Sequence, residues 1–167
     1  RPYASPNVVG LLEGSDPALR ATSVVLSAHL DHIGIGAEVE GDRIYNGAYD
    51  NAIGAAVLLE AARILASREK RPARSVVFLF ATSEEDGLLG SDHFAAQPPA
   101  RAGQAVANVN VDMPLLLYPL ADLVAFGGEN SSLGDAAARA ARDAGLALSP
   151  DPMPEENVFV RSDQYSF

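Results

Sequence analysis

Ser75-Val-Val-Phe-Leu-Phe-Ala-Thr-Ser-Glu-Glu-Asp-Gly-Leu-Leu-Gly90 is the stretch on which the fold turns. Its first seven residues, 75–81, are a run of apolar and β-branched side chains, the pattern of a buried strand. That strand delivers Glu84 and Glu85 into a turn punctuated by Gly87 and Gly90. Two adjacent carboxylates repel, so the chain must supply something cationic. Successive side chains beyond a strand point in different directions, which lets one carboxylate bind a metal while its neighbour faces a substrate. A lone Glu-Glu pair would read as a solvated acidic loop, and the surrounding chain decides against that.

Upstream, residues 7–12 form a short apolar strand closed by the turn Glu13-Gly-Ser-Asp-Pro17. Residues 23–28 form a second strand, apolar on both faces, that runs into His29-Leu-Asp31-His32. Residues 37–49 carry Gly41 and Asn46-Gly47 and read as a loop or small hairpin ending at Asp50-Asn51. Over 52–67 the apolar positions Ile53, Val57, Leu58, Ala61, Ile64 and Leu65 recur at three- and four-residue spacing, which predicts a helix with one buried face. Gly54 at its start permits close approach of another backbone.

Downstream, residues 88–96 read as a short helix stopped by Pro98-Pro99, and 105–111 as a strand ending on Asp112. Residues 115–120 are apolar, interrupted by Pro119, and their pattern assigns no element. Residues 123–126 read as a strand, and 132–144 as a helix with a Ser132-x-x-Asp135 capping box and Gly145 as its stop. A proline-rich loop over 149–156 and a short strand at 158–160 complete the pattern. Strands alternating with helices imply an α/β fold: a three-layer α-β-α sandwich about a mixed, mostly parallel sheet. Ligands of such sheets gather at the carboxyl ends of the strands. His29, Glu84, Glu85 and Asp112 fall just beyond such ends, and Asp50 lies at a helix start.

The 167 residues, 48% of them hydrophobic, suffice for one domain with a proper core. With 22 acidic against 12 basic residues the net charge is −10, which argues against a nucleic-acid or anionic-membrane surface and suits metal ions and substrate amines. The absence of cysteine excludes disulfides and thiolate zinc sites, so any transition-metal site must be built from His, Asp and Glu. No apolar run approaches the roughly 20 residues that span a bilayer.

Ser27-Ala-His-Leu-Asp-His32, Asn46-Gly-Ala-Tyr-Asp-Asn-Ala-Ile-Gly54, Ala81-Thr-Ser-Glu-Glu-Asp-Gly-Leu-Leu-Gly-Ser91, Asn108-Val-Asn-Val-Asp-Met113 and Arg161-Ser-Asp163 together resemble the di-zinc aminopeptidases of the bacterial leucyl aminopeptidase and aminopeptidase Y type. The resemblance implies a zinc exopeptidase-like fold over 1–167, acting on peptides with a free N-terminus. By the same resemblance His29 and Asp112 bind one zinc ion, Glu85 helps bind a second, and Asp50 bridges the two. Glu84 is then the general base and Asp31 the partner of His29, accepting its other ring N–H. A cis peptide after Asp50 is also implied. The fifth metal ligand, a histidine of a later strand, is expected beyond Phe167, and further sequence before Arg1. His32 is expected near the site without being a ligand, and His93 in the following helix. Export to the periplasm or the outside, and self-association through an exposed sheet edge, are further expectations. Two alternatives stand beside this one: a single-zinc acyl transferase resembling glutaminyl cyclase, and a catalytically incomplete binding or assembly domain of the same fold.

Overall fold

A computed structural model describes residues 4–167, which fold as two compact units. The larger unit runs to Pro114 and takes back Ser162–Phe167, while Leu115–Arg161 form the smaller. The larger unit holds strands β1 (Val8–Leu12), β2 (Thr22–His29), β3 (Gly34–Val39), β4 (Asp42–Tyr45), β5 (Ser75–Ala81) and β6 (Gln104–Asn110), with helices α1 (Ile53–Ser67) and α2 (Leu89–Ala96). Its main sheet has the order β1-β5-β2-β6. The edge strand β1 runs antiparallel to β5, whereas β2 is parallel to both β5 and β6. β3 and β4 pair antiparallel about Gly41, so of the two readings left open for 37–49, loop or small hairpin, the hairpin forms, and it starts earlier, at Gly34.

The period-two alternation of strand side chains sorts the core into two faces. Val25, Val77, Leu79 and Ala81 pack with Phe94 of α2 on one side. Ala28, Val76 and Phe78 pack with Leu58 of α1 on the other, joined by Leu12, Leu26, Ala62 and Leu65. The central strand is therefore apolar on both faces because a helix covers each, and the three layers follow from that. Leu58 is 1% exposed. Burial of that one side chain stabilises the α1 layer by about 2–3 kcal/mol.

The parallel ladders set the height of the strand ends. His29 lies opposite Ala81, and Ser27 opposite Asn110. The carboxyl ends of β2, β5 and β6 thus reach one rim of the sheet, where residues 30–32, 82–88 and 111–113 emerge together.

In the smaller unit, β7 (Asp122–Val124) and β8 (Ala147–Ser149) pair in parallel, with α3 (Leu133–Asp143) between them in sequence. Gly145 stops α3 as expected: at φ 75 it sends its own N–H to Arg142 O and lets Leu146 N–H reach Ala141 O at 2.8 Å. The capping box does not form. Ser132 sits in the helical region and makes no side-chain cap, and the Ser131 hydroxyl accepts the Leu133 N–H instead. The expected strand at 158–160 is a 3-10 turn, Val158–Arg161, since three residues between an αL Asn157 and the next turn find no ladder partner. Residues 115–120 adopt no regular element.

Candidate metal centre

His29, the last residue of β2, is fully buried, and its ring is fixed at both nitrogens. Nδ1 lies 3.1 Å from the main-chain oxygen of Asp31. That carbonyl takes the Nδ1 hydrogen and leaves Nε2 turned toward two carboxylates, 3.1 Å from Asp50 Oδ1 and 3.3 Å from Asp112 Oδ1.

The partner expected of Asp31 is thereby corrected. Its main chain, not its carboxylate, accepts from the His29 ring, and the nearer side-chain oxygen stands 3.8 Å away. The carboxylate is engaged elsewhere, accepting the N–H groups of Glu84 at 3.2 Å and Glu85 at 3.3 Å. The turn of residues 83–88 doubles back sharply, with Ser83, Gly87 and Leu88 at positive φ, so its N–H groups point inward and a side-chain anion can hold them. Asp31 ties the Glu84-Glu85 turn to the end of β2.

Asp50 arrives on the turn 48–52, and the Asp50–Asn51 peptide is cis as expected. Asn51, 1% exposed, clamps this turn to the end of β6. Its amide donates to Val111 O at 3.0 Å, and its oxygen accepts from Gly54 N at 3.1 Å and Met113 N at 3.2 Å. Gly54 is required by that closeness: a Cβ there would sit 2.5 Å from Val111 O. One side chain therefore sets the distance between Asp50 and Asp112.

His29 Nε2, Glu84 and Asp112 offer ligand atoms that all lie within 4.8 Å of one another, and so do His32, Asp50 and Glu85. His32, set aside as a ligand on sequence, stands in the second group. Its Nδ1 is 2.6 Å from Glu85 Oε1 and 3.8 Å from Asp50 Oδ2. Asp50 thus turns one oxygen to each group.

Crowding moves the protonation equilibria. Burial pulls the His29 imidazole down, but its hydrogen bond with Asp112 and the charges of Asp112, Glu84 and Asp50 outweigh this and raise its pKa to about 9. Burial pushes Glu84 up to about 7, with the charges of Asp112, Asp163 and Glu85 adding to the effect and that of His29 opposing it. Burial would raise Asp112 too, yet hydrogen bonds from His29 and Ser162 hold it below the ordinary range. Asp163, wholly buried, is raised by its burial.

Nitrogen and carboxylate donors without thiolate are the donor set of a catalytic zinc site, and the charge balance agrees. Among the described residues the arginine–carboxylate pairs join Arg20 to Glu13, Arg63 to Glu60 and Arg161 to Glu156. None of them neutralises Asp31, Asp50, Glu84, Glu85 or Asp112, so the cluster fits a metal cation.

The model of Peptidase family M28 matches residues 7–167. The chain belongs to peptidase family M28. A zinc aminopeptidase of Bacillus subtilis, BSAP, superposes on 96% of this M28 chain with a TM-score of 0.68 and 25% identity. The chain spans 36% of that protein. The aminopeptidase NAALADL1 of Mus musculus is 33% identical over 114 residues, which is 65% of this chain and 14% of that protein's length. A glutaminyl cyclase of Bacteroides thetaiotaomicron, at 18% identity over 96% of this chain and 59% of its own, with a TM-score of 0.69, shares the fold. Among the described residues no helix is long and apolar enough to cross a membrane.

The clamping role of Asn51 was not legible in the sequence of this M28 domain, whereas His32 stands near the site as expected. Asn51 resembled an ordinary polar residue beside Asp50, and only the sheet order reveals that Val111 and Met113 lie against it. His32 lies three residues beyond His29, the last residue of β2, and that short separation is the signal that places it. The direction of its ring depends on the chain closing around it.

Proposed function

We propose that the chain is the catalytic domain of a zinc-dependent exopeptidase that removes N-terminal residues from peptides. The observation that carries this is the convergence of His29 Nε2 on Asp50 and Asp112, beside a half-buried Glu84 whose pKa lies at about 7. Membership of a peptidase family and the likeness to the Bacillus zinc aminopeptidase support it.

His29 and Asp112 would hold one zinc ion, Asp50 would bridge toward a second, and Glu85 would contribute to that second. When bound, zinc acts as a Lewis acid that polarises a carbonyl and makes water acidic near neutral pH. The chain's own residues do the rest. Glu84, near neutrality by burial, takes a proton from the attacking water and returns it to the leaving amine. Asp31 fixes the direction of Glu84 by holding its N–H, and its main-chain carbonyl keeps the His29 tautomer that leaves Nε2 free. The surplus of carboxylates at the rim attracts the ammonium of a free N-terminus. Export, to the periplasm or outside the cell, is the localisation proposed with this activity, and cell fractionation tests it.

Release of nitroaniline from aminoacyl-nitroanilides in the presence of zinc tests the activity. Glu84→Gln is expected to lower kcat by about 10²–10⁴-fold with zinc content unchanged. N-acetylated substrates are expected to resist cleavage. An unchanged rate in the variant would refute the role of Glu84, and cyclisation of glutamine peptides without hydrolysis would refute the exopeptidase.

A further inference from the structure

We propose that Asn110 is a positioning residue of the metal centre: it fixes the Ser162 hydroxyl as a donor to Asp112 and so holds that carboxylate in one rotation beside His29. The inference rests on the zinc enzyme proposed above and gives a role to the last residue of β6, which the sequence motifs leave without one.

Period-two alternation puts Asn108 and Asn110 on one face of β6, and the parallel ladder sets Asn110 opposite Ser27 of β2. Their side chains join in a chain that runs one way. Asn108 Nδ2 donates to Ser27 Oγ at 3.0 Å, and the Ser27 hydroxyl donates to Asn110 Oδ1 at 2.8 Å. The Asn110 amide is thereby set with its oxygen toward β2 and its NH₂ group toward the last turn of the chain. There Nδ2 donates to Ser162 Oγ at 2.9 Å and to Gln164 Oε1 at 2.9 Å, so both amide hydrogens are used. A hydroxyl carries a single hydrogen, and that of Ser162 cannot return to an N–H donor. It goes to the carboxylate of Asp112, the other side chain with which Ser162 forms a hydrogen bond.

Burial makes the direction count. Ser27 is wholly buried and Ser162 nearly so, which leaves little water to offer other partners. Asp112 is held from two sides, by His29 Nε2 at 3.3 Å from its Oδ1 and by Ser162, and a ligand carboxylate with fixed partners keeps the orientation that a metal needs. The segment that carries Ser162 is seated independently on α2, through the Ser91–Ser166 hydroxyl pair at 2.8 Å and the tilted rings of Phe94 and Phe167. Ser162 is therefore in place without Asn110, and what Asn110 adds is the direction of its hydrogen. The plainer reading is a staple, in which Asn110 ties the last turn to the sheet whichever way the hydrogens point. Substitutions separate the two. Asn110→Asp keeps the shape and accepts from the hydroxyls of both Ser27 and Ser162, so the tie survives while the Ser162 hydrogen is drawn off Asp112. Asn110→Leu removes the tie and leaves that hydrogen on Asp112.

The test is zinc affinity by competition with a chelator, together with urea midpoints of the metal-free protein, for the full 167-residue chain and its variants. Asn110→Asp is expected to weaken zinc binding by about 10–100-fold, although its added negative charge by itself favours a cation. Ser162→Ala is expected to fall in the same range, and Asn110→Asp placed on Ser162→Ala is expected to weaken binding no further, because the two act through one hydrogen bond. Asn110→Leu is expected to lower the urea midpoint while its zinc affinity falls by less than about 10-fold. Unchanged affinity in Asn110→Asp, a further loss on Ser162→Ala, or a loss in Asn110→Leu as large as in Asn110→Asp would overturn the inference and leave the zinc enzyme standing. No zinc bound by the wild type would overturn both. Should Asn110→Asp lose its helical circular dichroism, neutron diffraction from deuterated wild-type crystals decides instead. A deuteron on Ser162 Oγ directed at Asp112 is expected, and one directed anywhere else would overturn the inference.

Discussion

Metal-free protein should lose stability as the pH rises from about 7.5 to about 9.5, and His29 sets the size of the loss. Its pKa rises from 6.5 to about 9 on folding because Asp112, Glu84 and Asp50 surround it. A group whose pKa is raised by folding contributes stability that is full below its unfolded pKa and vanishes above its folded one. At about 1.4 kcal/mol per pKa unit the whole contribution is about 3 kcal/mol, of which about 2 kcal/mol disappears across that window. Glu84 acts in the same sense at lower pH. As an acid raised from 4.5 to about 7, it favours the folded state in its protonated form, and this contribution is spent by about pH 7.5. The upper window therefore isolates the imidazole. Urea unfolding followed by circular dichroism, with EDTA present, measures the loss directly. His29→Gln should flatten the profile over that range. Saturating zinc should reverse its sign, because a ligand nitrogen must be deprotonated and binding then gains as the pH rises. Stability of the metal-free protein that is flat or increases from about pH 7.5 to about 9.5 would refute the placement of His29 among these carboxylates.

Leu58→Ala should destabilise the protein by about 2–5 kcal/mol, because Leu58 is buried between α1 and the face formed by Ala28, Val76 and Phe78; urea midpoints measure it, and a loss under about 1 kcal/mol would contradict that packing. Asn51→Ala should cost about 1–3 kcal/mol by leaving the N–H groups of Gly54 and Met113 and the carbonyl of Val111 without their partner. The same change should weaken zinc binding, since it releases Asp50 from the end of β6; isothermal titration calorimetry reads it, and unaltered affinity would show that the clamp does not position the site.

The layers were legible because burial on both faces leaves a plain signal: residues 76–81 could be apolar throughout only with a helix on each side, and Phe94 and Leu58 lie on the two helices. Gly54 and Gly145 were legible for a similar reason, since a close approach and a positive φ each demand glycine locally. What stayed hidden depends on which strands become neighbours. Asn51 reaches Val111 across 60 residues of sequence, and Asp31 reaches Glu84 across 53. No local pattern reports such contacts. His-x-Asp spacing suggested a carboxylate partner for the His29 ring, yet the strand end brings the main-chain carbonyl of Asp31 nearer and frees the carboxylate for the turn. Ser132 failed as a cap because it had already entered the helical region, with Ser131 one step ahead of it.

Anomalous scattering at the zinc edge, from crystals of the protein grown with zinc, tests most directly whether β2, β5, β6 and the turn before α1 converge to hold a metal. A peak about 2 Å from His29 Nε2, with Asp50 and Asp112 as its oxygen ligands, is the predicted result. Zinc bound only elsewhere on the protein, or no peak beside His29 at saturating zinc, would contradict it.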